Sequence, residues 1–129
     1  MIRRRLFALF GLALLASAPL AAWSPQANYT PEAFRAAAAA ERVIVLDFHA
    51  GWCPTCRAQE SALAELGEEE ALREVALLIV DFDSAADLKK QYGVVTQSTL
   101  IVLRGERELA RAIGITSKEA IRALIAKAL

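Results

Sequence analysis

The chain has 129 residues, with 15 basic and 15 acidic side chains and therefore a formal net charge of zero. Its length allows one domain; a hydrophobic fraction of 56% with 4 Pro and 6 Gly excludes a disordered or collagen-like polymer, and the balanced charge points to no nucleic-acid partner. Two cysteines are too few for a disulfide-stapled miniprotein or a Cys-only zinc site, so whatever they do they do as a pair.

Met1 is followed by Arg3, Arg4 and Arg5 and then by an uncharged stretch from Leu6 to Trp23. A positive n-region before an apolar h-region is the layout of a secretory signal, with cleavage expected near Ala22. The alternative is an uncleaved membrane anchor, since ~18 apolar residues is the lower limit for spanning a bilayer. The expected organisation is thus a signal peptide or anchor over residues 1–22 and one folded domain over 23–129, in a periplasmic or secreted protein. Loss of the three arginines leaves the mature chain mildly acidic.

Within that domain the hydrophobic period alternates between helix and strand. Thr30 is placed to cap a first helix, with Pro31 at its first position, Glu32 in its first turn and Ala36 to Ala40 propagating it. Arg42 to Phe48 reads as a strand covered on both faces. A second helix is expected from Cys53 to Leu66, through the spacing of Ala58, Ala62, Leu63 and Leu66, with Gly67 ending it.

Val75 to Phe82 reads as a second buried strand. Ser84 with Asp87 offers a capping box for a short helix running to Tyr92 and stopped by Gly93. Thr99 to Leu103 and Leu109 to Ile113 form an antiparallel hairpin through Arg104-Gly105-Glu106-Arg107. Thr116 and Glu119 offer a second capping box, for a terminal helix whose Ile121, Leu124 and Ile125 face the sheet. Glu68-Glu69-Glu70 reads as a solvated turn and Lys89-Lys90 as an exposed helix face.

The chemistry lies in Trp52-Cys53-Pro54-Thr55-Cys56, a C-x-x-C where a strand gives way to a helix. A cysteine at a helix N-terminus faces unpaired N–H groups and the positive end of the dipole, which stabilise its thiolate. Cys53 is therefore the candidate nucleophile, and Cys56, one turn along, the thiol that resolves the mixed disulfide. Pro54 suits the first helical position because it has no N–H to leave unpaired. Two blander readings of the pair are an inert short-loop disulfide and half of a zinc site completed by His49.

The segment Val45 to Cys56 resembles the active-site segment of the thioredoxin family. The likeness extends through Tyr92-Gly93-Val94, the start of a strand at Ser98-Thr99-Leu100, the Gly105 hairpin and Gly114 before the last helix. The resemblance implies an α/β thioredoxin fold, a central mixed β-sheet flanked by helices. It matches Cys53 to the attacking cysteine, Cys56 to the resolving one, Trp52 to the indole lining the substrate groove, and Asp47 to the buried acid behind the resolving thiol. Pro54, Thr55, Gln97, Ser98 and Gly114 fall at its substrate-facing positions. Asp47 is consistent with that role on its own account, because a carboxylate in so apolar a strand should have a raised pKa suited to accepting a proton.

Three positions depart from the family pattern. Ser98 stands where a cis-proline is usual, leaving the Gln97–Ser98 peptide trans or strained and the substrate loop reshaped, with Ser98 as mere strand start the bland alternative. Ile79 stands where many members have a lysine near the buried acid, so Asp47 should be harder to ionise. His49, four residues before Cys53, is a candidate for tuning the Cys53 pKa, or else a solvated strand-end residue.

The expected activity is exported thiol-disulfide exchange through Cys53 and Cys56, in the direction of reduction, with a membrane thiol transporter as electron donor. Alternatives are a disulfide-donating oxidase or isomerase, and a non-catalytic module binding a partner or metal. No metal site and no cofactor beyond the redox-active disulfide are expected. The partners are protein thiols and disulfides and a membrane electron-transfer protein, and the expected state is a monomer.

Overall fold

A computed structural model describes residues 27–129, so the expected signal or anchor lies outside the described residues. Four strands, β1 (Val43–His49), β2 (Ala76–Asp81), β3 (Thr99–Arg104) and β4 (Arg107–Ile113), form one sheet in the order β2-β1-β3-β4. β1 runs parallel to β2 and antiparallel to β3, and β3 is antiparallel to β4, giving the mixed sheet expected from the sequence. Four α-helices accompany it: α1 (Pro31–Ala39), α2 (Pro54–Leu66), α3 (Ala86–Tyr92) and α4 (Lys118–Ala126).

The alternation of side chains along a strand divides β1 between two cores. Val43 and Val45 pack with Ala62, Leu63 and Leu66 of α2 and with Ile121, Leu124 and Ile125 of α4. Ile44, Leu46 and Phe48 point the other way, to Phe34 and Ala37 of α1, with Leu88 and Tyr92 of α3 at the margin. Because both faces are covered, the continuous apolar run of β1 is a buried central strand. Asp47 interrupts that run on the α2 side, next to Ile79 in the register with β2.

Local chemistry sets the helix ends. Thr30 Oγ1 accepts the Ala33 N–H at 3.0 Å ahead of Pro31, as its sequence position suggested. Cys53 is the N-cap of α2 and not its first residue; its sulfur accepts the Cys56 N–H at 3.2 Å. Gly105 and Glu106 alone turn the β3–β4 hairpin, with Gly105 at φ +59.

Three expectations need correction. Ser84 does not cap α3: its hydroxyl is taken by Asp81 Oδ2 at 2.6 Å, and the N-cap is Ala85, with no side-chain cap. At α4 the cap is Ser117, accepting from the Ala120 N–H at 3.2 Å, and not Thr116. Gly67 ends α2 as expected, in a right-handed conformation, φ −62, and the chain continues into a short 3-10 turn at Glu70–Leu72 that buries Leu72. Within that acidic run Glu69 is not simply solvated, since its carboxylate accepts from Arg122 Nε of α4 at 3.1 Å.

Leu63 is 1% exposed between α2 and the sheet. Leu63→Ala is expected to lower unfolding free energy by about 2–5 kcal/mol in urea titrations. Arg122→Ala should cost much less, because the Arg122–Glu69 pair is partly open to solvent. Equal losses from the two substitutions would contradict this account of where the stability lies.

Candidate active site

The site forms where three chain segments meet beyond the carboxyl end of β1: the start of α2, the loop leading into β3, and the end of β4. Both cysteines are free thiols and both are buried, Cys53 at 3% exposure and Cys56 fully. They pack with Ala50 and the edge of Phe82.

Cys53 Sγ meets two hydrogen-bond partners, the Cys56 amide at 3.2 Å and the Ser98 hydroxyl at 3.3 Å. Burial alone would push this thiol up, but hydrogen bonds from the Cys56 thiol, the Ser98 hydroxyl and the backbone of Cys56 and Thr55 outweigh it and bring its pKa down to about 7. The Cys56 thiol moves the opposite way, raised chiefly by burial and by its contact with Cys53. The two sulfurs, one helical turn apart, thus differ in acidity because the hydrogen bonds of the Cys56 thiol, the Ser98 hydroxyl and the helix-start amides converge on Cys53, while burial dominates at Cys56.

Asp47 is 1% exposed, and its Oδ1 is a buried atom without a hydrogen-bond partner among the described residues. Burial, then the charges of Glu60 and Cys53, raises its pKa to about 7. The absence of a lysine at the neighbouring position, Ile79, leaves nothing there to counter that rise.

The loop before β3 is fixed through Ser98. The Gln97–Ser98 peptide is trans and Ser98 lies at φ +63, a conformation uncommon for a residue with a Cβ. The Ser98 N–H donates to the Phe48 carbonyl at 2.9 Å. The Ser98 carbonyl accepts from the Gly114 N–H at 3.0 Å and from Gln59 Nε2 at 3.1 Å. Ser98 therefore precedes the strand, which starts at Thr99, and its side chain turns inward to the sulfurs. Gly114, at φ +72, ends β4 against this loop. Gln97 is half-buried and accepts from the Thr96 hydroxyl at 3.2 Å.

Trp52 is 60% exposed, with its indole N–H held by Asp83 Oδ2 at 2.9 Å, and Pro54 and the half-buried Thr55 follow it. Val95, at 86%, and Ile113, at 57%, are exposed beside Ser98 in the chain and beside Gly114, respectively. His49 lies opposite Asp81 in the β1–β2 register, and its charge is one of the factors that hold the Asp81 carboxyl low, behind the hydrogen bonds from Ser84 and the Asp83 amide. Among the described residues no group of three His, Cys, Asp or Glu could hold a metal ion.

Three contributors were not singled out from sequence: Gln59, Val95 and Ile113. Gln59 had a signal, a polar residue in the buried stripe Cys56, Gln59, Ala62, Leu63 and Leu66. Val95 and Ile113 had only the weaker one of large apolar residues at loop and strand-end positions.

Asp47 carries a testable cost. Its folded pKa, about 7, exceeds the unfolded value of 3.8, so the folded state holds the proton more tightly and stability falls as pH rises between those values. Asp47→Asn is expected to leave stability near pH 4 almost unchanged and to raise it above pH 7 by an amount on the order of 4 kcal/mol. Urea titrations of both proteins at the two pH values check this; a gain independent of pH would refute the buried-carboxylate account.

The thioredoxin family model matches residues 26–127. The thioredoxin of Chlamydia trachomatis is 34% identical over 88 residues, covering 68% of this chain and 84% of that protein. Thioredoxin-1 of Drosophila yakuba is 38% identical over 76 residues, covering 59% and 70%. Among solved structures, Trxlp from Edwardsiella tarda EIB202 superimposes with a TM-score of 0.73 at 36% identity, over 76% of this chain and 95% of that one. With its mixed sheet, its cysteine pair at the head of α2 and this family match, the chain belongs to the thioredoxin family of thiol-disulfide oxidoreductases, whose redox group is the cysteine pair itself.

Proposed function

We propose that this protein is an exported thiol-disulfide reductase that receives electrons from a membrane thiol transporter and passes them to protein disulfides. The direction is supported by the hydrogen bonds converging on Cys53 Sγ, from the Cys56 amide at 3.2 Å and with the Ser98 hydroxyl at 3.3 Å, which bring its pKa to about 7. A reactive thiol near 7 goes with reducing C-x-x-C proteins, whereas strongly oxidising ones hold theirs near ~3.5. Export is supported by the Arg3-Arg4-Arg5 cluster before the uncharged stretch 6–23. A reductase outside the cytosol needs reducing equivalents delivered across the membrane, which is the reason for the membrane donor.

In this reading the Cys53 thiolate attacks a substrate disulfide. One substrate sulfur leaves as a thiolate and the other is held in a mixed disulfide with Cys53. Asp47 accepts the Cys56 proton, Cys56 attacks Cys53 Sγ, and the second substrate sulfur leaves as the Cys53–Cys56 disulfide closes. A pKa of about 7 suits Asp47 to this task, since the carboxyl can take and return a proton near neutral pH. Trp52, Val95 and Ile113 give an extended substrate segment an apolar surface beside Cys53, and Pro54, Thr55, Gln97 and Gly114 border it.

Equilibration with glutathione tests the direction. A reduction potential near about −270 mV is expected, and one near about −120 mV would make the protein an oxidase. Cys56→Ser is expected to accumulate mixed disulfides and Cys53→Ser to form none. Intact mass and fractionation of the full chain test export and distinguish a product trimmed near Ala22 from one retained in the membrane. A full-length protein in the cytosol would reject the localisation and leave the redox assignment standing.

A further inference from the structure

The Ser98 hydroxyl lies 3.3 Å from Cys53 Sγ and 3.1 Å from Cys56 Sγ. A hydroxyl has one proton and two acceptor lone pairs, so it can donate to only one sulfur at a time while accepting from the other. The choice is biased by the backbone, because Cys53 Sγ also receives the Cys56 amide at 3.2 Å and is the sulfur prepared for negative charge. We propose that Ser98 is a catalytic residue of the exchange: its hydroxyl donates to the Cys53 thiolate, alongside the Cys56 amide, so that Cys53 attacks while Cys56 keeps its proton.

The backbone supports this assignment. Ser98 at φ +63 holds the left-handed conformation that a residue with a Cβ seldom adopts, and glycine would adopt it freely. Its N–H and carbonyl are both held, by Phe48 on one side and by Gly114 and Gln59 on the other, and these bonds aim the side chain at the sulfurs. At 3% exposure the hydroxyl faces little competing water, which strengthens a hydrogen bond to a thiolate.

The inference rests on Cys53 being the attacking thiol. When Cys53 joins the mixed disulfide, its charge passes to the departing substrate sulfur, and the Ser98 proton loses its anionic acceptor. As Cys56 gives its proton to Asp47, that hydroxyl is free to donate to the new thiolate instead. Cys56 then attacks Cys53 Sγ, the substrate's remaining sulfur leaves as a thiolate, and two electrons have passed from the dithiol to the substrate. Ser98 ends with the proton it started with.

The titratable groups on the surrounding elements include Asp47 and His49 of β1, Cys56, Arg57 and Glu60 of α2, Asp81 at the end of β2, Asp83 after it, and Lys89 of α3, whose ammonium lies 4.1 Å from the Phe82 ring centre. Residues 93–98 and Ile113-Gly114 bring none. Asp47 and Cys53 repel each other when both are charged, so Asp47 cannot supply the stabilisation that Ser98 gives.

Ser98→Ala and Ser98→Gly both remove the hydroxyl, and only glycine also relieves the positive φ. In the protein purified as the expressing cell makes it, the Cys53 pKa is read from far-ultraviolet thiolate absorbance and from the pH dependence of iodoacetamide alkylation, with the modified cysteine identified by peptide mass. Both variants are expected to raise the Cys53 pKa by about one pH unit and to slow alkylation near pH 7 roughly fivefold. Against glutathione both should become more reducing, by at most tenfold, or ~30 mV, once pH exceeds both pKa values. An unchanged pKa in both variants overturns the proposal, as does a rise in Ser98→Ala alone, which would assign the effect to the backbone. Alkylation of Cys56 in place of Cys53 in the parent protein would instead reject the order of attack on which the inference rests.

Discussion

The arrangement depends on one hydrogen bond, from the Cys56 amide to Cys53 Sγ. A helix start leaves backbone donors unpaired, and ordinarily an oxygen from Ser, Thr, Asp or Asn fills that place. Here a sulfur fills it. The bond caps α2, points the sulfur along the helix dipole, and helps make the two thiols of a symmetric-looking C-x-x-C chemically unlike, together with the side-chain bonds of Cys56 and Ser98. Pro54 belongs to the same device: at the first helical position its missing N–H removes a donor that would otherwise need a partner. Structural economy and reactivity therefore share one contact.

The sheet imposes the second constraint. β1 is covered on both faces from Val43 to Phe48, and Asp47 takes this environment with Ile79, not a cation, beside it in the register. The same burial that makes the carboxylate costly sets its proton affinity near neutrality. The fold bears this cost within a core of Val43, Val45, Leu63, Leu66, Ile121 and Ile125, a setting in which water cannot readily satisfy the acid. His49, two residues on, lies at the strand end opposite Asp81, half-buried and with its Nδ1 a buried atom without a hydrogen-bond partner among the described residues.

Much of this was legible in the sequence because the signals were local. Thr30-Pro31, the apolar run of β1, the cysteines at a strand-to-helix junction and the Gly105 turn each carry their cause within a few residues. The capping residues of α3 and α4 were misread because several hydroxyls lay within reach of each start. Only tertiary placement decides that Ser84 turns back to Asp81 and that Ser117 rather than Thr116 stands at the helix mouth. The Glu69–Arg122 contact spans more than fifty residues of chain, and no periodic pattern encodes such a pairing. Gln59 was obscured for the same reason: its partner, the Ser98 carbonyl, is on another element.

Ser98 joins these two kinds of information. The sequence marks the position as unusual but does not say which way its side chain points, since that depends on φ and on bonds from three other segments. A proline at this position could not adopt φ +63, nor could it donate to the Phe48 carbonyl. The trans, positive-φ backbone and the hydroxyl therefore depend on one another: relinquishing the imide frees an N–H to pin the loop to β1, and the resulting twist carries Oγ to within hydrogen-bonding distance of both sulfurs. Glycine would reach the same backbone at lower conformational cost but would leave the buried sulfurs without that donor, so the cost of a serine here is offset only if its oxygen is used.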